Sequence, residues 1–86
     1  MLGGMARYLV EAYLADTPAA LEQASRSARQ LAELDGEIQY VRTTFLPGEE
    51  SVFHVFEATS PGVVIAAANE VALPVDRISE AFEDAG

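Results

Sequence analysis

Apolar positions along this chain switch between alternate spacing and spacing of three or four. Residues 6–14 (ARYLVEAYL) are rich in β-branched and aromatic side chains and predict a first strand. Thr17-Pro18 then opens a helix, with a hydroxyl cap followed by a proline where the missing N–H costs nothing. Leu21, Ala24, Ala28, Leu31 and Ala32 form its apolar stripe, Glu22, Arg26, Arg29 and Glu33 lie opposite, and Gly36 is the expected stop. Residues 37–46 (EIQYVRTTFL) predict a second strand, 47–50 (PGEE) a turn, and 52–58 (VFHVFEA) a third strand. Ser60-Pro61 opens a second helix with Val64, Ala67, Ala68 and Val71 inward, closed by Pro74. Residues 75–83 (VDRISEAFE) predict the last strand, and 84–86 should fray.

The resulting order is strand, helix, strand, strand, helix, strand. A faint repeat supports it: Val10-Glu11-Ala12 before Thr17-Pro18 echoes Phe56-Glu57-Ala58 before Ser60-Pro61. Two interleaved β-α-β halves with right-handed crossovers put both helices on one face of an antiparallel sheet. The expectation is an α+β, ferredoxin-like sandwich in strand order 4-1-3-2. Residues 1–5 read as an N-terminal extension, with Met5 a plausible true start, and 6–84 as one domain.

Two helices cover one sheet face, so the other should be polar in a monomer. Alternation instead puts large apolar groups on both. Phe53 and Val55 oppose Val52, His54 and Phe56; Leu9, Glu11 and Tyr13 oppose Tyr8, Val10, Ala12 and Leu14; Ile38, Tyr40, Arg42 and Thr44 oppose Val41, Thr43 and Phe45. A second copy on a two-fold axis is the simplest cover for such a face. A homodimer with facing sheets, as a dimeric α+β barrel-like assembly, is expected.

Composition narrows the chemistry. The 86 residues carry 5 basic groups, all arginine, against 14 acidic ones, for a net charge of −9. That field repels phosphate backbones and anionic membranes, so neither nucleic acid nor membrane is an expected partner. No apolar run nears the ~20 residues of a bilayer span, and 1–4 lack a secretion-signal pattern. Absent lysine excludes Schiff-base chemistry, and absent cysteine excludes thiolate nucleophiles and disulfides. A cytoplasmic location is expected. No HExxH or CxxC spacing, phosphate loop or nucleophile elbow occurs, so no metal or cofactor is called for.

His54 is the single histidine, placed here on the open face with Phe56, either as a hydrogen-bonded core group or as a general base or metal ligand in a cavity between sheets. Glu11 is a carboxylate inside an apolar strand, either paired with His54 or Arg42 as a base with a raised pKa, or a strand-end residue that reaches solvent or a helix N-terminus. If Glu11 and Glu57 are equivalent in the repeat, both turn away from His54. Tyr40 and Arg42, read as sharing a face, offer a donor and a cation to an anionic or carbonyl ligand, and Tyr13 is expected along the same cavity.

Arg7-Tyr8-Leu9-Val10-Glu11, Phe53-His54-Val55-Phe56-Glu57-Ala58 and Leu73-Pro74-Val75-Asp76-Arg77-Ile78 together resemble a small bacterial family described as nickel-binding. The resemblance implies a ferredoxin-like fold and a dimer. It sets Arg42 and His54 where that family often carries His and Cys. More distantly it reaches dimeric α+β barrel proteins, including cofactor-independent enzymes. Two functions follow. One is a homodimer that binds a small molecule through His54, Glu11, Arg42 and Tyr40. The other is a cofactor-independent enzyme in which His54 or Glu11 moves a proton. A divalent-metal-binding protein is the third.

Overall fold

The structure, a computed structural model, describes residues 5–82. Strand β1 (Ala6–Tyr13) leads through helix α1 (Pro18–Leu34) to β2 (Ile38–Leu46). A 3-10 turn at Pro47–Glu49 joins β2 to β3 (Ser51–Ala58), and α2 (Pro61–Glu70) leads to β4 (Arg77–Ala81). All pairings are antiparallel, in the order β2-β3-β1-β4. This is the expected order read from the other edge. Among the described residues, no helix is long and apolar enough to cross a membrane.

Both helix starts follow from short-range hydrogen bonding. The Thr17 hydroxyl accepts from the Ala20 N–H at 3.1 Å, and the Ser60 hydroxyl from the Val63 N–H at 3.3 Å. Each satisfies an N–H that the first helical turn leaves without a partner. The stops differ from expectation. Helix α1 ends at Leu34, one residue before an extended Asp35, whose Oδ1 accepts from the Glu37 N–H at 2.8 Å. That side-chain turn ends the helix without a left-handed glycine at Gly36. Helix α2 ends at Glu70, four residues before Pro74. Leu73 N–H donates to the Ala68 carbonyl at 2.9 Å and Ala72 N–H to that of Asn69 at 3.4 Å, the paired bonds of a Schellman cap. The left-handed position of that cap holds Ala72, at φ 55°.

The core lies between the helices and one sheet face. Tyr8 and Val10 of β1, Ile38 of β2, and Phe56 and Ala58 of β3 meet Ala28 and Leu31 of α1 and Val64, Ala67 and Ala68 of α2. The inward helical residues agree with the sequence stripes, although Val71 is only half-buried. The short axis of 17 Å fits a single helix layer on a single sheet.

Strand β4 is shorter than expected. Val75 and Asp76 precede it; Asp76 N–H donates to the Glu11 carbonyl at 2.9 Å, and its Oδ2 accepts from the Tyr13 N–H at 2.9 Å. The side chain thus takes over one backbone position of the β1 edge. Of the expected extension only Met5 is described; Glu83 and the expected frayed end lie outside the described residues.

In strand β2 the register runs Tyr40 to Phe56, Arg42 to Val55 and Thr43 to His54. Val41 is the extra residue of a bulge, and it reverses the strand's alternation from that point.

Ala72 carries the side-chain penalty of a left-handed backbone, which glycine escapes. Ala72→Gly is expected to raise stability by about 0.5–1 kcal/mol. The readout is a higher urea midpoint at unchanged slope.

Candidate functional site

The bulge at Val41 divides the candidate residues between two sheet faces. Tyr40 and Thr43 lie three residues apart and would oppose each other in a regular strand. With one residue inserted, both point to the helix-covered side. Arg42 goes to the open side, so Tyr40 and Arg42 do not share a face as expected.

On the covered side, His54 is fully buried in β3. Its assignment to the open face is corrected by the pairing register. His54 stands opposite Val10, and Phe56 opposite Tyr8, both core residues. The repeat noted in the sequence already carried this signal, because it aligns Phe56 with Val10 and Glu57 with Glu11.

His54 Nδ1 lies 2.8 Å from Thr43 Oγ1, and the Tyr40 hydroxyl donates to that same oxygen at 2.8 Å. The Thr43 hydroxyl thus satisfies Nδ1 in either tautomer of the ring. Nε2 is buried without a hydrogen-bond partner, at a cost of about 1–3 kcal/mol. The Arg29 guanidinium of α1 lies 5.6 Å from the Tyr40 ring centroid, and that ring meets Phe56 edge-on at 6.0 Å. Burial lowers the His54 pKa from its usual 6.5 to about 4, so the ring is neutral at pH 7. Thr43 was not singled out in the sequence; it becomes His54's partner only through the bulge.

The open face carries Arg7, Leu9 and Glu11 of β1, Arg42, Thr44 and Leu46 of β2, Phe53, Val55 and Glu57 of β3, and Arg77 of β4. Arg7 and Glu57 form a 2.7 Å ion pair across β1 and β3. Glu11 stands directly opposite Arg77 and Phe53. A shallow concavity of about 420 Å³ holds Arg7, Arg42 and Thr44 over a floor of Leu9, Phe53 and Val55. His54 is not among its lining residues. Tyr13, 63 % exposed, lies beyond it, its hydroxyl 3.5 Å from Glu50 Oε2.

The structure therefore brings together His54 and Tyr40 inside, and Arg42 near Phe53 and Val55 outside. Glu11 and His54 occupy opposite faces and meet no common space. Sequence reasoning passed over Arg7, Leu9 and Thr44 as site residues. Their shared face follows from pairing across three strands, which no single strand's pattern reports.

The fold and these two faces define a small α+β protein with an antiparallel sheet covered on one side. The chain belongs to the family described as nickel responsive protein SCO4226-like, whose model matches residues 8–81. A crystal structure of SCO4226 from Streptomyces coelicolor A3(2) superposes with a TM-score of 0.75 at 20 % sequence identity. The match covers 93 % of this chain and 100 % of that one, and it supports the ferredoxin-like fold. No curated protein matches the chain.

The described residues of one chain do not fit a nickel ion. Among the described residues no three of His, Cys, Asp and Glu gather where they could hold a metal. The one imidazole is sealed in the core with Nδ1 engaged by Thr43. On the open face, arginines stand among the carboxylates and repel a cation.

The buried imidazole also fixes a pH dependence. Folded His54 titrates at about 4 against 6.5 unfolded, so the unfolded chain binds the extra proton between those values. Native stability therefore falls as pH drops from about 6.5 toward 4, by roughly 3 kcal/mol if the whole shift is realised. Wild type is expected to lose stability relative to His54→Leu across this window. Urea unfolding of both at pH 7, 6 and 5 reads the difference, and a constant difference would show that the folded chain does not hold His54 neutral.

Proposed function

We propose that this protein works as a homodimer, open sheet face against open sheet face, and binds a small molecule in the space between the sheets. The observation that carries this reading is the charge of that face. The chain has a net charge of −9, yet among the described paired strand residues its open face sets Arg7, Arg42 and Arg77 against Glu11 and Glu57. Two copies repel one another least through this surface. A two-fold axis lets the arginines of one copy meet the glutamates of the other.

Size supports the same pairing. Strands spaced ~4.8 Å apart and about eight residues long, at ~3.3 Å each, give a face of about 500 Å². Two such faces bury about 1,000 Å², the lower end for a specific interface. Leu46, 39 % exposed, and the half-buried Leu9 and Phe53 supply apolar contact. A surface this mixed leaves room for a ligand between the copies, and the concavity at Arg42 is where it would sit.

The family's description favours a second reading, in which the protein's role is tied to nickel. The described residues of a single protomer do not support chelation, so on that reading the link to nickel runs through something other than a site among those residues of one chain.

Phe53→Asn and Leu46→Glu test the assembly, since both side chains face outward from the sheet. Wild type is expected to sediment at twice the chain mass of 9.2 kDa. Each variant is expected to weaken the dimer at least about tenfold while keeping its far-UV circular dichroism. A monomeric wild type, or dimers indifferent to both substitutions, would overturn the proposed pairing.

A further inference from the structure

Acidic residues outnumber basic ones 14 to 5 in this chain, yet the open-face concavity has the opposite character. Its lining includes two arginines, Arg7 and Arg42, together with Thr44, and no carboxylate among the described residues. Its floor, Leu9, Phe53 and Val55, is apolar, and Val55 is only 5 % exposed. A volume of about 420 Å³ is the size of a small-molecule site. The Glu57 carboxylate engages Arg7 at 2.7 Å but does not line the concavity.

We infer that this concavity binds a small organic carboxylate with an apolar or aromatic body. The inference rests on the reading above, that a small molecule sits between the sheets, and it names that molecule's chemistry. The carboxylate takes the planar fork of Arg42, whose five N–H donors serve a ligand alongside the side chain's own partners. Thr44, two residues along the same face, contributes a hydroxyl. The body of the ligand lies on Phe53, Val55 and Leu9, where a ring exchanges water for apolar contact. An inorganic anion would gain the arginine but not the floor, and a neutral apolar molecule the floor but not the arginine. The acidic surface elsewhere lowers the local concentration of anions, so any carboxylate that binds does so through these contacts and not by general attraction.

Phenylacetate is the probe, titrated into uniformly 15N-labelled protein while amide shifts are followed, with phenylacetamide as its neutral counterpart. Saturable shifts are expected at Arg42, Thr44, Phe53 and Val55. Phenylacetamide is expected to bind at least about tenfold more weakly, and Arg42→Gln to weaken phenylacetate by a similar factor. Arg26→Gln, on the exposed side of α1, should leave binding unchanged. Equal binding of acid and amide, indifference to Arg42→Gln, or no open-face shifts at millimolar ligand would each overturn the inference. Sedimentation of the same samples separates this from the assembly. A dimer that ignores phenylacetate sinks the carboxylate site alone. A monomer that binds it through Arg42 supports the site and sinks the facing-sheet pairing.

Discussion

A four-stranded sheet has two faces, and this chain has helix enough for one. Everything else in the molecule follows from how side chains are sorted between the two. The central strands β1 and β3 send Val10 and Phe56 under the helices and Leu9 and Val55 outward. Each strand therefore carries two apolar rows of different purpose. The inner row closes a core that meets Leu31 and Val64. The outer row is crossed by Arg7, Arg42 and Arg77, and Arg7 is held there by its 2.7 Å ion pair with Glu57.

Strand β2 shows how finely that sorting is set. One inserted residue at Val41 puts Tyr40 and Thr43 together inside and turns Arg42 out. Without the insertion His54 would face a different partner, and the open face would lose the arginine of its β2 edge. The bulge thus builds the buried Tyr40–Thr43–His54 chain and the outward arginine in one step. The unpartnered Nε2 of His54 is a cost the fold carries at its centre, and the neighbouring hydroxyls offset only the Nδ1 side of the ring.

Much of the architecture was legible in the sequence because it depends on short-range chemistry. Thr17-Pro18 and Ser60-Pro61 announce helix starts through bonds made within four residues. The order of the strands followed from the element sequence and crossover handedness. The faces were harder. Alternation within β3 separates His54 from Val55 correctly but does not say which row the helices cover, and the row expected to be open is the covered one. The bulge had no sequence mark, since Val41 is an ordinary strand residue with no glycine or proline beside it. The left-handed Ala72 was hidden for the same reason, because glycine normally signals that cap. Of the site candidates, Arg42 was readable as an anion contact, whereas its companions Arg7, Leu9 and Thr44 come from other strands or pass as ordinary strand residues.

On the reading proposed above, a twin molecule covers the outer row. Isotope-filtered nuclear Overhauser measurements on a mixture of labelled and unlabelled protein test it most directly, since they register only contacts between copies. Cross-peaks are expected from the Leu9 and Leu46 methyl groups to the partner molecule, and none from Leu31 or Val64. Intermolecular cross-peaks confined to the helix side, or none from the sheet at concentrations where the protein is dimeric, would contradict it.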